Sequence, residues 1–84
     1  MMNFQRREVT IELGGQEATI RELSAAEFAT IMELDQEEQA YALLFTSLVE
    51  KPESAQAIGE WPNSIVNQLS SSVMALNGLT EQGN

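Results

Sequence analysis

The chain contains no cysteine and no histidine. That excludes disulfides, thiolate zinc sites, Cys–His and Ser–His nucleophiles, and imidazole-based pH switching. Positive charge is scarce, with four Lys and Arg against 13 Asp and Glu and a formal net charge of −9 at pH 7. A field of that sign repels phosphate backbones and anionic bilayers, so neither nucleic acid nor a membrane is an expected partner. Long hydrophobic runs are missing too. The longest charge-free stretch, Trp61 to Thr80, is interrupted by Asn63, Ser64, Asn67, Gln68, Ser70, Ser71, Ser72 and Asn77, too many polar groups for a bilayer span. Residues 1–12 carry Gln5, Arg6, Arg7 and Glu8 without an apolar core, so no signal peptide is expected and the reading is a cytosolic protein.

What is present suits one small domain. At 84 residues the chain buries roughly 63% of its unfolded surface, a modest core that leaves little room for an enclosed catalytic cavity. We expect a single domain over 1–84, ordered at about 7–79, with 80–84 frayed. The expected class is α+β, an N-terminal β-hairpin packed on a bundle of three to four short helices.

The hairpin is read at about 7–22. Val9, Ile11 and Leu13 alternate with Glu8, Thr10 and Glu12, Gly14-Gly15 supplies the positive φ angles of a two-residue turn, and Ala18 and Ile20 alternate with Glu17, Thr19 and Arg21. Arg6, Arg7 and Arg21, interleaved with Glu8, Glu12, Glu17 and Glu22, read as cross-strand ion pairs rather than as a basic binding spot.

Three helices follow, at about 24–34, 36–50 and 62–77. Ser24-Ala25-Ala26-Glu27 is a capping box flanked by Leu23 and Phe28 at the staple positions. Asp35 is the expected cap of the second helix, whose apolar stripe is Ala40, Tyr41, Leu44, Phe45, Leu48 and Val49, with Lys51-Pro52 as its stop. Ser54 to Ile58 reads as a single turn closed by Gly59. Pro62 opens the last helix, and Asn77-Gly78-Leu79 closes it with Gly78 left-handed. The expected core is Val9, Ile11, Ile20, Phe28, Ile31, Tyr41, Leu44, Phe45, Leu48, Leu69 and Val73.

Catalytic chemistry finds no foothold. Glu27, Glu33, Asp35, Glu37 and Glu38 crowd together, but they read as helix caps and solvated faces, and the sixth position of an EF-hand loop begun at Asp35 would be Ala40 instead of glycine. The serines have only Lys51 as a candidate base, and Gly14-Gly15 lacks the Lys-Ser/Thr of a phosphate loop. We expect no enzyme, no cofactor and no metal. Partner binding is the remaining class. Leu43 and Met74 fall on otherwise polar helix sides, Trp61 stands at a helix entrance, and the outer face of the last helix, including Asn67 and Ser71, carries no charge in a strongly acidic chain. Interfaces are depleted in charge, so Leu43, Trp61, Asn67, Ser71 and Met74 are the candidate contact residues.

From about Val9 to Leu79 the chain resembles the tail assembly chaperones of long-tailed bacteriophages, in its short form. The likeness rests on strand, glycine turn and strand, then Ile20-Arg21-Glu22-Leu23 leading into "SAAEF", an acidic helix, "LLFTSLVEKPES", and "WPNSIVNQLSSSVMALNGL" with its closing Leu76-Asn77-Gly78-Leu79. The resemblance implies a non-enzymatic protein of the host cytoplasm, encoded by a phage or prophage and left out of the finished virion. It would bind the tape measure protein, keep it soluble and help recruit tail tube protein. Homo-oligomerisation through the hairpin edge or the last helix would multiply weak contacts along such a client. Two alternatives differ in class: a structural virion component, and an acidic decoy that blocks a DNA-binding protein.

Overall fold

In a computed structural model, which describes residues 2–79, an antiparallel hairpin is followed by four helices in an α+β arrangement. Strand β1 is Glu8–Leu13 and β2 is Gln16–Arg21, paired in the register Glu8↔Arg21 through Leu13↔Gln16. Gly14 and Gly15 have φ of 56° and 84°, the two positive values of a type I′ turn. The turn is seated on the last helix: a Cβ on Gly14 would lie 3.0 Å from Ile65 Cδ1.

Helix α1, Ala25–Met32, begins as its sequence requires. The Glu27 N–H donates to Ser24 Oγ (3.1 Å) and the Ser24 N–H to Glu27 Oε1 (3.0 Å). Helix α2 is Gln36–Ser47 and ends earlier than the stop at Lys51-Pro52 suggests. Leu48 turns extended (φ −70°, ψ 132°) because β2 offers better partners than another helical turn. The Val49 N–H donates to the Thr19 carbonyl (3.0 Å), Ser47 Oγ donates to the Arg21 carbonyl (2.8 Å), and Leu48 bridges to Ile20. The carbonyls of Thr46, in the last turn of α2, and of Leu48, just after it, accept from Lys51 Nζ, which also lies 5.6 Å from the Phe45 ring centroid. Asp35 occupies the N-cap position, but its side chain makes no capping hydrogen bond, so Glu37 and Glu38 in the first turn are left to complement the helix dipole.

A 3₁₀ helix, Ala55–Glu60, is capped by Ser54 Oγ accepting from the Ala57 N–H (3.3 Å). It is not closed at Gly59, whose φ is not positive. It runs one residue further, with Gly59 against the Tyr41 ring. Helix α3, Asn63–Leu76, ends in a Schellman motif. The Leu79 N–H donates to the Met74 carbonyl (2.8 Å), the Gly78 N–H to that of Ala75 (3.1 Å), and Gly78 has φ 70°.

The buried core is Ile20, Ile31, Leu43, Leu44, Leu48, Ile58, Leu69 and Val73, with Ile11, Phe28 and Phe45 half-buried against it. Two expected core residues are outside it. Val9 is 41% exposed although its cross-strand partner Ile20 is fully covered; Ile20 is also bridged by Leu48 on the far side of β2, whereas in β1 it is Ile11 and Leu13, nearer the turn, that pack on the core. Tyr41 is 38% exposed and only leans on Gly59. Leu43 is the reverse case. It is 9% exposed and in the core, because α2 packs against α1, the 3₁₀ helix and α3, so no broad polar side remains there. The expected fraying of 80–84 lies outside the described residues.

Candidate partner-binding surfaces

Alternation along the hairpin decides which backbone groups face outward. The Glu22 N–H donates to the Arg7 carbonyl (2.8 Å), so the mutually bonded pairs are Arg7/Glu22, Val9/Ile20, Ile11/Ala18 and Leu13/Gln16. Glu17, Thr19 and Arg21 therefore turn their peptide groups to the free edge of β2. The Arg21 and Thr19 carbonyls are taken by Ser47 and Val49. The remaining edge, at Glu17 and the Thr19 N–H, has no hydrogen-bond partner among the described residues.

This unpaired half-edge borders an open cleft of about 570 Å³ between the hairpin turn and the start of α3. Its apolar surface comes from Leu13, Ala18, Leu48, Trp61, Pro62 and Ile65, and its charged groups are Glu17 and Glu50, with no cation. An extended segment of another chain can hydrogen-bond such an edge while placing side chains in the apolar floor.

The second surface is the outer side of α3. Asn63, Asn67 and Ser71, spaced at i, i+4 and i+8, are all exposed, and no residue of α3 is charged. Met74 does not stand clear beside them. It is half-buried and packs on the core.

The five candidate contact residues therefore separate. Leu43 is buried and unavailable to a partner, which corrects its assignment to a polar side. Trp61 is half-buried in the cleft wall, Asn67 and Ser71 share the α3 face, and Met74 sits at that face's inner border. Sequence reasoning passed over Glu17, Leu48, Glu50 and Ile65. Val49, a β-branched residue just before the Lys51-Pro52 stop, was the available signal for an extended segment there.

Charged groups concentrate at the other end of the hairpin. Arg6 pairs with Glu27 (2.9 Å), Arg7 with Glu22 (3.5 Å) and Arg21 with Glu8 (3.7 Å). The Arg7 guanidinium also donates to the Leu76 carbonyl at the C-terminal end of α3, where a cation complements the helix dipole. The Glu22 carboxyl is held below the ordinary carboxylate range by the Arg7 N–H and then by the Arg7 side chain. Glu27 is lowered chiefly by the Ser24 N–H, against a smaller desolvation effect, with Arg6 assisting. These acids are engaged in folding contacts. Among the described residues no group of three or more acids gathers where a metal ion could be held, and no helix is long and apolar enough to cross a membrane.

No protein-family model, curated protein or solved structure matches this chain.

Proposed function

We propose that this chain is a non-enzymatic phage tail assembly chaperone of the host cytoplasm, binding and solubilising the tape measure protein and helping to recruit tail tube protein. The observation that carries this reading is the uncharged α3 face on a chain of net charge −9. A chaperone for a long apolar client needs surface that tolerates contact without aggregating by itself. Exposed Asn63, Asn67 and Ser71 offer hydrogen bonding without the desolvation cost of buried charge, while the remaining carboxylates keep the complex soluble. The family resemblance that supports the reading rests on the order strand, glycine turn and strand, on Ile20-Arg21-Glu22-Leu23, on Leu44 to Pro52 and on Leu76-Asn77-Gly78-Leu79; the hairpin and the Gly78 ending form, whereas the helix through Leu44 stops at Ser47.

The test is co-expression with the tape measure protein encoded in the same genome. The reading requires the tape measure protein to move from the pellet to the soluble fraction and to co-purify with this chain. It also requires the chain to be absent from purified virions. A tape measure protein that stays insoluble, or stoichiometric retention of the chain in virions, would overturn it, the latter in favour of a structural component.

A further inference from the structure

We propose that the cleft beside β2 binds an extended segment of a different protein, one in which basic and apolar residues alternate, added as a strand to the free half of the β2 edge. The site is separate from the uncharged α3 face, and the proposal does not depend on the chaperone reading. The backbone supplies the first argument. Beyond the hydrogen bond from Val49 to Thr19, the β2 edge has no partner among the described residues, so the Thr19 N–H and the N–H and carbonyl of Glu17 face outward unused. An incoming strand satisfies such groups. Leu48 already bridges Ile20 in the antiparallel sense, so the added strand takes up β2 pairing where the chain itself lets go.

Alternation fixes what that strand must carry. Ala18 shares the face of the buried Ile20, whereas Glu17 and Thr19 lie on the other face, where Thr19 Oγ1 meets Thr10 Oγ1 (3.1 Å). A residue opposite Ala18 therefore falls on the apolar side, toward the cleft surface of Leu48, Trp61 and Ile65. Its neighbour, opposite Glu17, stands about 5 Å from that residue's Cβ, where opposite charges attract. Glu50, which follows Val49, adds a second acid at the other rim, and the cleft contains no cation. The occupant is not a second copy of this chain, because its four basic residues are all engaged. Arg6, Arg7 and Arg21 are ion-paired with Glu27, Glu22 and Glu8, and Lys51 is held by the carbonyls of Thr46 and Leu48.

The probe is a synthetic peptide, acetyl-Thr-Lys-Val-Lys-Phe-Lys-Thr-amide, titrated into the isotope-labelled full-length chain. Backbone amide shifts, amide hydrogen exchange and the fluorescence of Trp61, the one tryptophan, are the readouts. Saturable binding is expected with a Kd of about 0.1–1 mM, the range of a short, weak contact. Shifts should centre on residues 17–19, 48–50 and 61, and the Glu17 and Thr19 N–H groups, open to exchange in the free chain, should become protected. Replacing the peptide's lysines with glutamate should weaken binding roughly tenfold or more, and Glu17→Lys with Glu50→Lys, both at exposed positions, should reverse that preference. Strand addition has its own signature. The antiparallel partners of Glu17 and Thr19 turn their peptide groups toward β2, so N-methylation of the lysine nitrogens should abolish binding, whereas N-methylation of the valine and phenylalanine nitrogens should leave it intact. No saturable shift up to about 5 mM peptide would overturn the proposal. Equal affinity of the lysine and glutamate peptides, or equal tolerance of the two methylation patterns, would overturn it as well. Glu17 and Thr19 amide shifts that move with the concentration of the chain alone would assign the edge to a second copy and likewise overturn it.

Discussion

The two ends of the hairpin are built from similar residues and are finished in opposite ways. At the end where the chain enters, Arg6, Arg7 and Arg21 each meet a carboxylate, and Arg7 also reaches the Leu76 carbonyl at the end of α3. Asn77 accepts from the Leu23 N–H (2.9 Å) and donates to the Val73 carbonyl (2.8 Å). At the turn end, Gln68 Nε2 donates to the Glu12 carbonyl (2.7 Å) and Ile65 leaves little room for a side chain at Gly14, but Glu17 and Glu50 enter none of the ion pairs among the described residues and half of the β2 edge is unpaired. The closed end locks β1, α1 and α3 together. The open end holds the features that folding does not use, and these are the ones available to a partner.

Leu44 belongs to the one buried core and is 1% exposed, so Leu44→Ala gives the largest expected loss, about 2–5 kcal/mol in denaturant unfolding. Both ends should be lost in one transition. A hairpin that outlasts the helices would mean the ends are independent units and would break the comparison. Gly14→Ala at the open end comes next, at roughly 1–3 kcal/mol, because it forces a side chain into positive φ against Ile65. Ser24→Ala at the closed end should cost roughly 1 kcal/mol, a fall of roughly 4–8 °C in melting temperature.

Smaller still is the pH effect. The folded pKa values of Glu22 and Glu27 lie below the ordinary 4.5. Their stabilisation is therefore complete above that value and fades as pH falls through the lower folded values. Melting temperature should decline with acidification below about pH 4.5. Glu27→Gln, which keeps the capping geometry, should flatten part of that decline; an unchanged acid limb would detach Glu27 from the closed end. Smallest is Glu17→Gln at the open end, which should stay within about 0.5 kcal/mol of wild type. A larger loss would show that the open end is also used in folding.

What was legible in the sequence was local. Gly14-Gly15, the Ser24-to-Glu27 box and Asn77-Gly78-Leu79 each specify their geometry within a few residues, and each forms as read. Two local signals failed: the Asp35 side chain leaves its cap unmade, and Gly59 does not close the 3₁₀ helix, which runs on to Glu60. What was not legible depends on packing between distant segments. Leu43 is covered because α1, α3 and the 3₁₀ helix surround α2, which a helical wheel of α2 alone cannot show. Helix α2 stops at Ser47 because β2 supplies acceptors at Thr19 and Arg21. The cleft draws on the hairpin, the residues after α2 and the start of α3, so no contiguous motif announces it.

The central claim, that the uncharged side of α3 holds the client, is tested most directly by placing charge on it. Asn67→Glu with Ser71→Glu alters two exposed residues. The double variant should melt near the wild-type temperature, since exposed substitutions stay within about 0.5 kcal/mol each. In co-expression it should leave the tape measure protein in the pellet, where the wild-type chain brings it into solution. A double variant that is folded and solubilises the tape measure protein as well as wild type would contradict the account.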